Sequence, residues 1–306
     1  MNSITPSAIA EKICIASGFQ GEIRQKEEML KHTSFRIGGP VDLMIIPASG
    51  NDLIKLIRSL ADEDTPYFIL GRGSNLLISD RGVRGIVIQV GSGLTGFNFH
   101  GNRLVVDAGV ALALLALSAA DRGLSGLEFA AGIPGTVGGA VVMNAGSGGG
   151  DISQVVRRVR TYKPGIGMND WSAEECQFGY RSSRFRQDGE IILEVEFKLE
   201  AGATEEIKDR MNKIIAQRKK SLPLEYPSAG SVFKNPPGDY AGRLIEAVGL
   251  KGEGVGDARI SEKHANVIVN LGSACSTEVE ELITRVRMEV KEKFKINLEL
   301  ELQIWR

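Results

Sequence analysis

The stretch FAAGIPGTVGGAVVMNAGSGGG, residues 129–150, decides the interpretation of this chain because it is unusually rich in glycine. Its glycines are Gly132, Gly135, Gly138, Gly139, Gly146, Gly148, Gly149 and Gly150. Glycine has no Cβ to hold a ligand away, and it adopts backbone angles at which successive N–H groups converge on an anion. Such a loop can surround a pyrophosphate without a lysine. Tight turns between short strands would have the same composition, so glycine content alone leaves the two interpretations about even.

Composition and charge are those of an ordinary globular protein. The 306 residues are 42% hydrophobic and 25% charged, which allows two or three domains. Lys and Arg number 37 against 38 for Asp and Glu, so we expect neither nucleic acid nor a membrane surface as a partner. Three separate cysteines without a CxxC pair, and three scattered histidines, argue against a disulfide framework and predict no metal site.

The amino terminus and the longest apolar run predict a cytoplasmic protein. Residues 1–19 contain glutamate and polar residues where a secretory signal has an unbroken apolar core. The longest apolar run, 110–117, is far shorter than the ~20 residues of a membrane span. We interpret this run as a buried helix, preceded by Asp107 and followed by Gly123.

Apolar patterning predicts strands in the first two thirds of the chain. Short β-rich runs bounded by Gly, Asn or Asp suggest one mixed sheet, and they cover residues 67–70, 76–78, 86–90 and 104–106. Residues 193–199 alternate apolar and charged side chains, the pattern of a half-buried strand. Because the sequence pattern changes after this run from that of a strand to that of a helix, we expect a domain boundary near residue 200.

Beyond residue 200 the pattern predicts helices packed against a sheet. A helix opens at Thr204 and ends before Pro223, and Thr277 with Glu280 forms a capping box for a later helix. The remaining predicted elements are a helix over 239–248, a buried strand over 267–269 and an alternating strand over 298–304. This part of the chain is therefore α+β.

A second glycine cluster, FILGRGSNLLISD, partly imitates a dinucleotide-binding fingerprint. Gly71 and Gly73 are in place, but Leu76 stands where the third glycine belongs. No amphipathic helix follows, and position 91 is glycine and not an acidic ribose ligand, so a Rossmann domain is disfavoured. Taken alone, the segment is a hairpin-like turn between two strands more often than a phosphate site.

Two further motifs carry polar groups that suit chemistry. YPSAGSVFKNPP, residues 226–237, holds Ser231 in a loop restricted by prolines, although a surface turn with a capping serine is favoured by about three to one on serine frequencies. FGYRSSRF places Tyr180 beside Arg181. The guanidinium fork can bind a carboxylate or phosphate, although solvated surface arginines are far commoner.

Taken in order, the motifs resemble one family. HTSFRIGGPVD, FILGRGSNLLISDRGVRG, GLEFAAGIPGTVGGAVVMNAG, FGYRSSRF, PSAGSVFKNP, AGRLIEAVGLKG, SEKHANVIVN and LELELQI closely resemble the UDP-N-acetylenolpyruvoylglucosamine reductase family, MurB, of bacterial cell-wall enzymes. The resemblance runs from about Thr33 almost to the carboxyl terminus. The short spacing from Arg181 to Ser231 is similar to the subgroup that lacks an inserted tyrosine-bearing loop.

The resemblance implies a fold and a domain division. The family binds FAD in an α+β fold shared with vanillyl-alcohol-oxidase (PCMH-type) flavoproteins. By resemblance, residues 1–200 form an FAD-binding domain with two subdomains that divide near residue 90. Residues 201–306 then form a smaller α+β substrate-binding domain, whose terminal strand, 298–304, carries Glu301.

The same resemblance assigns the two glycine clusters to one FAD site. The implied contacts are Gly71, Arg72, Gly73, Ser74, Asn75, Leu76, Gly132, Ile133, Pro134, Gly135, Thr136, Gly138, Gly139, Ala140 and Asn144. Some relatives in the wider superfamily attach flavin to a histidine or cysteine near the first turn. Neither residue occurs close to Gly71, so we expect non-covalent FAD.

The implied reaction has two halves: NADPH reduces the flavin, and the flavin reduces the enolpyruvyl group of UDP-N-acetylglucosamine-enolpyruvate. Matching positions make Ser231 the proton donor, with Arg181 and Glu301 at the substrate carboxylate. Glu301 could also be merely solvated, since only the resemblance selects it. The implied substrate-binding residues are Tyr180, Arg218, Lys234 and Asn235; Arg218 could instead complement its helix end.

Departures and alternatives accompany this interpretation. Ser147 and Gly148 stand where the family often has alanine and tyrosine, so a local aromatic contact is lost. The alternatives are another FAD oxidoreductase of the same fold, and a binding module that has lost turnover. We expect a monomer that meets the UDP-sugar and NADPH.

Overall fold

The computed structural model describes residues 18–62, 65–186 and 188–306. The helices are α1 (Gly50–Asp62), α2 (Leu112–Ala120), α3 (Val137–Met143), α4 (Thr204–Ser221), α5 (Ala241–Ala247) and α6 (Ser276–Phe294). The first ten strands are β1 (Glu22–Glu28), β2 (Pro40–Ile46), β3 (Tyr67–Leu70), β4 (Leu76–Ile78), β5 (Val83–Gln89), β6 (Phe97–His100), β7 (Arg103–Asp107), β8 (Leu124–Ser125), β9 (Gly146–Ser147) and β10 (Gly150–Asp151). The others are β11 (Val156–Lys163), β12 (Gly167–Ser172), β13 (Ile191–Lys198), β14 (Glu200–Ala201), β15 (Ser228–Ser231), β16 (Gly254–Val255), β17 (Ala258–Ile260), β18 (Val267–Asn270) and β19 (Gln303–Trp305). Residues 1–17, most of the amino-terminal segment that argues against an export signal, lie outside the described residues.

The chain forms two compact units. Of the described residues, unit 1 comprises those within 18–25, 43–71 and 85–216, and unit 2 comprises those within 26–42, 72–84 and 217–306. The boundary expected near residue 200 does not coincide with this division, because Ile207 and Met211 of α4 pack in a core of unit 1. Nothing in the local sequence pattern indicates that the two short early segments Lys26–Asp42 and Arg72–Arg84 belong to unit 2.

The first core of unit 1 joins α1 to a sheet with strand order β1-β2-β5-β3. The helix buries its apolar stripe at three- and four-residue spacing, through Leu53, Leu56, Ile57 and Leu60. Its start is capped reciprocally. Ser49 Oγ accepts from the Asp52 N–H at 3.1 Å, and Asp52 Oδ2 accepts from the Ala48 N–H at 3.0 Å.

The second core of unit 1 lies on a five-stranded sheet of order β12-β11-β13-β7-β6, in which adjacent strands are antiparallel. Helices α2 and α3 contribute to this core. The buried helix predicted over 110–117 exists as α2, but it is buried on one side only: Leu114 and Leu117 are 52% and 47% exposed. The strand predicted over 193–199 is β13, but it is buried and not half-buried, since only Glu194 and Lys198 are not buried.

Unit 2 packs α5 and α6 against a sheet of order β15-β18-β17-β16. The parallel pair β4–β19 adds Leu77 to the same core. The predicted capping box is wrong by two residues, since α6 begins at Ser276 and the Cys275 N–H donates to Glu278 Oε2 at 3.1 Å. The terminal strand is shorter than predicted: β19 begins at Gln303, so Glu301 lies just before it.

The four early strand predictions are correct in position and wrong in pairing. β3 and β4 have the predicted bounds. β3 pairs with β5 and β4 pairs with β19, so the turn between them is not a hairpin. β7 belongs to the five-stranded sheet. The runs therefore enter three sheets and not one.

Candidate active site

The glycine loop 132–140 in unit 1 is held by main-chain hydrogen bonds. The Val137 N–H donates to Val110 O at 2.9 Å, and the Gly138 N–H donates to Ala108 O at 2.8 Å. Thr136, 3% exposed, is the N-cap of α3, and its Oγ1 accepts from the Gly139 N–H at 3.2 Å. These bonds fix the backbone without using a charged side chain.

The end of β3 touches this loop because residue 71 is glycine. A Cβ at Gly71 would lie 2.6 Å from Thr136 Oγ1, closer than any real contact of that kind. Gly139 is exposed, and Gly132 and Gly135 are half-buried. The loop therefore presents bare backbone at these positions, which fits a ligand with a pyrophosphate.

The other residues predicted at the first turn, Arg72 to Leu76, belong to unit 2. Gly73 has φ of +60°, and a Cβ there would lie 2.2 Å from His32 O, so only glycine fits. Asn75 Nδ2 donates to Glu301 O at 3.0 Å, and Asn75 O accepts from the Gln303 N–H at 3.0 Å. Asn75 thus joins the predicted cofactor turn to the segment that carries Glu301.

Asn144 closes α3 in the left-handed region, with φ of 42° and ψ of 58°. Its side chain is buried, and both ends of the carboxamide bind protein. Nδ2 donates to Gly179 O at 3.0 Å, and Oδ1 accepts from the Ser153 N–H at 3.0 Å. A contact between Asn144 and FAD stays a prediction, whereas these bonds brace the loop that precedes Arg181.

Tyr180 and Arg181 occupy the centre of a two-residue turn. The Gly179 N–H donates to Ser182 O at 3.0 Å, and the Ser182 N–H donates back to Gly179 O at 3.2 Å. Arg181 has φ of +55°, an uncommon conformation for a residue with a side chain. Its Nη2 donates to Gly146 O at 3.2 Å, and its guanidinium carbon lies 5.4 Å from the Tyr180 ring centroid. The guanidinium is therefore held in place within unit 1.

Next to this turn, Ser147 and Gly148 lie in a second tight hairpin. β9 and β10 pair Ser147 with Gly150, which leaves Gly148 and Gly149 as the two central residues. Their φ values are +61° and +91°. Glycine suits both positions because hairpin turns of this kind require positive φ.

Ser231 is the last residue of β15 in unit 2 and is half-buried. The pairing of β15 with β18 shifts register between Ser228, opposite Val269, and Ser231, opposite Val267. Gly230 lies inside this bulge with φ of +72°. A bulge re-aims the side chains that follow it, so it sets the direction of Ser231.

Glu301 is tied to the serine loop through one residue. Its N–H donates to Val232 O at 2.9 Å, and Val232 directly follows Ser231. Phe233 forms an isolated antiparallel bridge with Leu300. The structure thus links the main chain of Glu301 to the residue after Ser231 within unit 2, while Arg181 belongs to unit 1.

Two of the predicted substrate-binding residues, Lys234 and Asn235, make side-chain contacts within the protein, and a third, Arg218, is half-buried. Lys234 Nζ lies 3.3 Å from Glu299 Oε2, an exposed ion pair of small energetic value. Asn235 Oδ1 accepts from the Ala241 N–H at 3.0 Å at the start of α5. Burial lowers the pKa of the Arg218 guanidinium below its usual range. Their contacts with substrate stay predictions.

Sequence reasoning missed Gly230 and Asn266 as part of this site. Asn266 is 3% exposed and bonds to the main chain of Phe233. The available signal was an asparagine directly before the predicted buried strand 267–269, since a buried amide must find partners. The role of Gly230 depends on the register shift, for which the local sequence has no signal.

Among residues 18–62, 65–186 and 188–306, no group of three or more His, Cys, Asp or Glu side chains could hold a metal ion. Burial raises the pKa of the Cys176 thiol to about 12, which keeps it protonated and unreactive. No helix in the same part of the chain is long and apolar enough to cross a membrane.

Comparison with known proteins first defines the class. Residues 41–165 match the FAD binding domain family, and residues 222–305 match the C-terminal domain of UDP-N-acetylenolpyruvoylglucosamine reductase. The protein is thus an FAD-containing oxidoreductase with the α+β fold that the sequence predicted. The bare backbone of the glycine loop agrees with FAD as its cofactor.

Full-length relatives then define the family. The chain is 46% identical over 299 residues to UDP-N-acetylenolpyruvoylglucosamine reductase 2 of Symbiobacterium thermophilum, covering 98% of this chain and 97% of the relative. It is 44% identical to the reductase of Caldanaerobacter subterraneus, with coverage of 93% and 94%. The crystal structure of the reductase (MurB) from Thermus caldophilus has a TM-score of 0.81 at 39% identity, covering 94% of this chain and all of that one. The chain belongs to the UDP-N-acetylenolpyruvoylglucosamine reductase family.

Proposed function

We propose that the protein reduces the enolpyruvyl group of UDP-N-acetylglucosamine-enolpyruvate to the lactyl ether of UDP-N-acetylmuramate, in peptidoglycan precursor synthesis, with NADPH as the electron donor. Family membership across nearly the whole chain supports the reaction. The single structural observation that carries the chemistry is the main-chain hydrogen bond from Glu301 to Val232, the residue that directly follows Ser231.

FAD, when bound, supplies hydride transfer from NADPH to the alkene. Hydride addition to the terminal carbon places negative charge on the neighbouring carbon and its carboxylate, and this charge must be stabilised and then protonated. We assign the proton donation to the Ser231 hydroxyl. Both flanks of this residue are fixed, by the bulge at Gly230 and by the bonds to Val232.

Arg181 and Glu301 complete the proposed constellation at the substrate carboxylate. The Arg181 guanidinium is held by Gly146 O, so it is oriented before substrate arrives. Charge-assisted hydrogen bonds from arginine strengthen as negative charge develops on the carboxylate. A protonated Glu301 would donate a further bond to the same group.

The proposed cofactor contacts are those of the two glycine segments. Gly132, Gly135 and Gly139 would lie against the pyrophosphate with their backbone, and Gly71 would line the same surface at the end of β3. We further propose that the enzyme is a cytoplasmic monomer with the FAD-binding residues before position 200 and, apart from Tyr180 and Arg181, the substrate-binding residues after it.

The decisive test is NADPH oxidation by the purified FAD-bound protein with and without the enolpyruvyl UDP-sugar. We expect the substrate to accelerate NADPH oxidation strongly. UDP-N-acetylglucosamine is the matched control, because it carries the same nucleotide and sugar without the alkene. A flavoprotein whose NADPH oxidation responds to neither compound would contradict the proposal and favour another oxidoreductase of this fold.

A further inference from the structure

The SEKHANVIVN segment, residues 261–270, has no role in the chemistry above, yet Asn266 forms a clamp on the serine loop. Asn266 Nδ2 donates to Phe233 O at 2.8 Å, and its Oδ1 accepts from the Phe233 N–H at 3.0 Å. The side chain is 3% exposed. One carboxamide therefore satisfies both main-chain groups of the residue two positions after Ser231.

The clamp continues a strand pairing where the sheet itself ends. The last paired residues of β15 and β18 are Ser231 and Val267. Beyond them the Val232 N–H donates to Asn266 O at 2.8 Å, and the Asn266 side chain then pairs with Phe233 in place of a strand backbone. Ser231 is thus enclosed between the bulge at Gly230 and the carboxamide clamp.

Asn266 can act as an anchor because its own backbone is fixed by a tight loop. Its N–H donates to His264 Nδ1 at 3.3 Å. Ser261 Oγ accepts from the N–H groups of Lys263 and His264 at 3.1 and 3.3 Å. The Val267 N–H donates to His264 O at 2.9 Å. Movement of Asn266 would therefore disturb several bonds at once.

We propose that Asn266 is a positioning residue for proton donation by Ser231, an inference that rests on the proposed function. Removing its donor would release Phe233 O, and the segment Ser231 to Phe233 could then shift against Val267. A misplacement of about 1 Å can slow a reaction step about 100-fold. The clamp therefore acts on reduction of the substrate, through Ser231 and the adjoining Val232–Glu301 bond, and not on reduction of the flavin by NADPH.

The test uses the nearly isosteric variant Asn266→Asp in the FAD-bound enzyme. Aspartate keeps one acceptor for the Phe233 N–H but sets a carboxylate oxygen against Phe233 O in place of a donor. In rapid mixing, we expect reoxidation of the reduced enzyme by the enolpyruvyl UDP-sugar to slow about 10- to 100-fold. Flavin reduction by NADPH should stay within about two-fold of the wild type.

A pH series separates positioning from general damage. A buried carboxyl group has a raised pKa, and its protonated form can donate to Phe233 O. The ratio of the Asn266→Asp reoxidation rate to the wild-type rate should therefore rise as pH falls. A merely structural lesion predicts a ratio that stays flat or falls.

Asn270→Asp is the matched control. Asn270 lies in the same segment and is 2% exposed, and its Nδ2 donates to Phe35 O at 3.1 Å. Its Oδ1 accepts from the N–H groups of Gly272 and Ala274 at 2.8 and 3.0 Å. We expect a comparable loss of Tm with reoxidation within about two-fold of the wild type. Equal slowing in both variants would overturn the proposal.

The remaining outcomes are also decisive. Asn266→Ser, which carries no charge, is measured alongside; loss of FAD or of folding in both Asn266 variants would give the residue a structural role only and overturn the proposal.

In a Ser231→Ala background, Asn266→Asp should add no further slowing. If Ser231→Ala itself reoxidises at the wild-type rate, the proposed donor and this inference both fail. If Ser231→Ala is slow and Asn266→Asp is not, only this inference fails.

Discussion

The glycine loop 132–140 and the serine loop 228–235 are both fixed in place, but by different chemical means. The glycine loop is held by main-chain bonds to residues 108 and 110 and by the Thr136 cap, and glycine forms much of its surface. The serine loop is held by a bulge and by the buried carboxamide of Asn266.

This difference determines which substitutions each loop tolerates. A loop defined by the absence of side chains is damaged when an atom is added, because the new Cβ meets backbone or a capping group. A loop defined by buried polar groups is damaged when a donor is removed, because its partner is left unsatisfied. The four predictions below test this contrast, from the largest effect to the smallest.

The serine loop should lose its chemistry and keep its structure when Ser231 becomes alanine. Ser231→Ala should slow reoxidation by the enolpyruvyl UDP-sugar about 10²- to 10⁴-fold, the usual contribution of general acid catalysis. Flavin reduction by NADPH should be close to wild type, as stopped-flow absorbance would show. Ser228→Ala, in the same strand, is the control and should change neither rate appreciably. Equal losses in the two half-reactions would remove Ser231 from this role.

The glycine loop should respond to one added carbon at its contact with β3. Gly71→Ala places a Cβ 2.6 Å from Thr136 Oγ1, so the N-cap must move. We expect the free energy of unfolding to fall by about 1–3 kcal/mol in urea titrations, together with weaker FAD retention. Adding Thr136→Ala removes the clashing oxygen, so the double variant should lose less stability than the two single losses added together. Strict additivity would contradict the clash.

Substitutions at two neighbouring glycines of α3 should distinguish an effect on packing from an effect on ligand binding. A Cβ on buried Gly138 would lie 3.0 Å from Ala108 Cβ, whereas exposed Gly139 meets only Thr136 Oγ1 at 3.3 Å. Gly138→Ala should lower the unfolding free energy of the FAD-free protein by about 1 kcal/mol. Gly139→Ala should leave it unchanged or raised, because alanine favours helix, yet weaken FAD binding in a fluorescence titration. The same profile for both variants would remove Gly139 from the cofactor surface.

The smallest effect concerns pH and the anchor of the serine loop. Burial, with a contribution from the Lys251 charge, lowers the pKa of His264 below its ordinary value of 6.5. As pH falls, the His264 side chain of the unfolded chain is therefore protonated before that of the folded protein. The contribution of neutral His264 to stability is present above roughly pH 6.5 and is lost as the pH falls below that value. Tm should decline through this window. His264→Gln should flatten the decline, and an unchanged slope would contradict the assignment.

Local chemistry made part of the fold predictable from the sequence. The bounds of β3 and β4 were correct because glycine and asparagine mark strand ends within a few residues. The pairing was not predictable, since nothing near β4 indicates that its partner is β19. The bond between Asn75 and Glu301 spans 226 residues.

The candidate site divides in the same way. The strings around Ser231, Arg181 and the glycine loop carried enough local identity to suggest the family, and the comparisons confirmed it. Gly230 escaped notice because its role depends on the strand register, and Asn266 because its partner, Phe233, lies far away in the sequence. The two-residue error at the cap of α6 arose because Thr277 and Cys275 both precede an acidic residue at the required spacing.

The discontinuous composition of unit 2 has a consequence for how the protein is made. Its core includes Phe35, Ile37 and Leu77, and β4 takes its parallel partner from the last residues of the chain. During translation these early apolar residues leave the ribosome long before β19 is synthesised. Until then their apolar side chains cannot be buried in the core of unit 2 and stay exposed or bound to a chaperone. A gene fragment that encodes only residues 217–306 would lack them and should yield aggregated protein. The carboxyl-terminal part is therefore not a module that recombination could move alone.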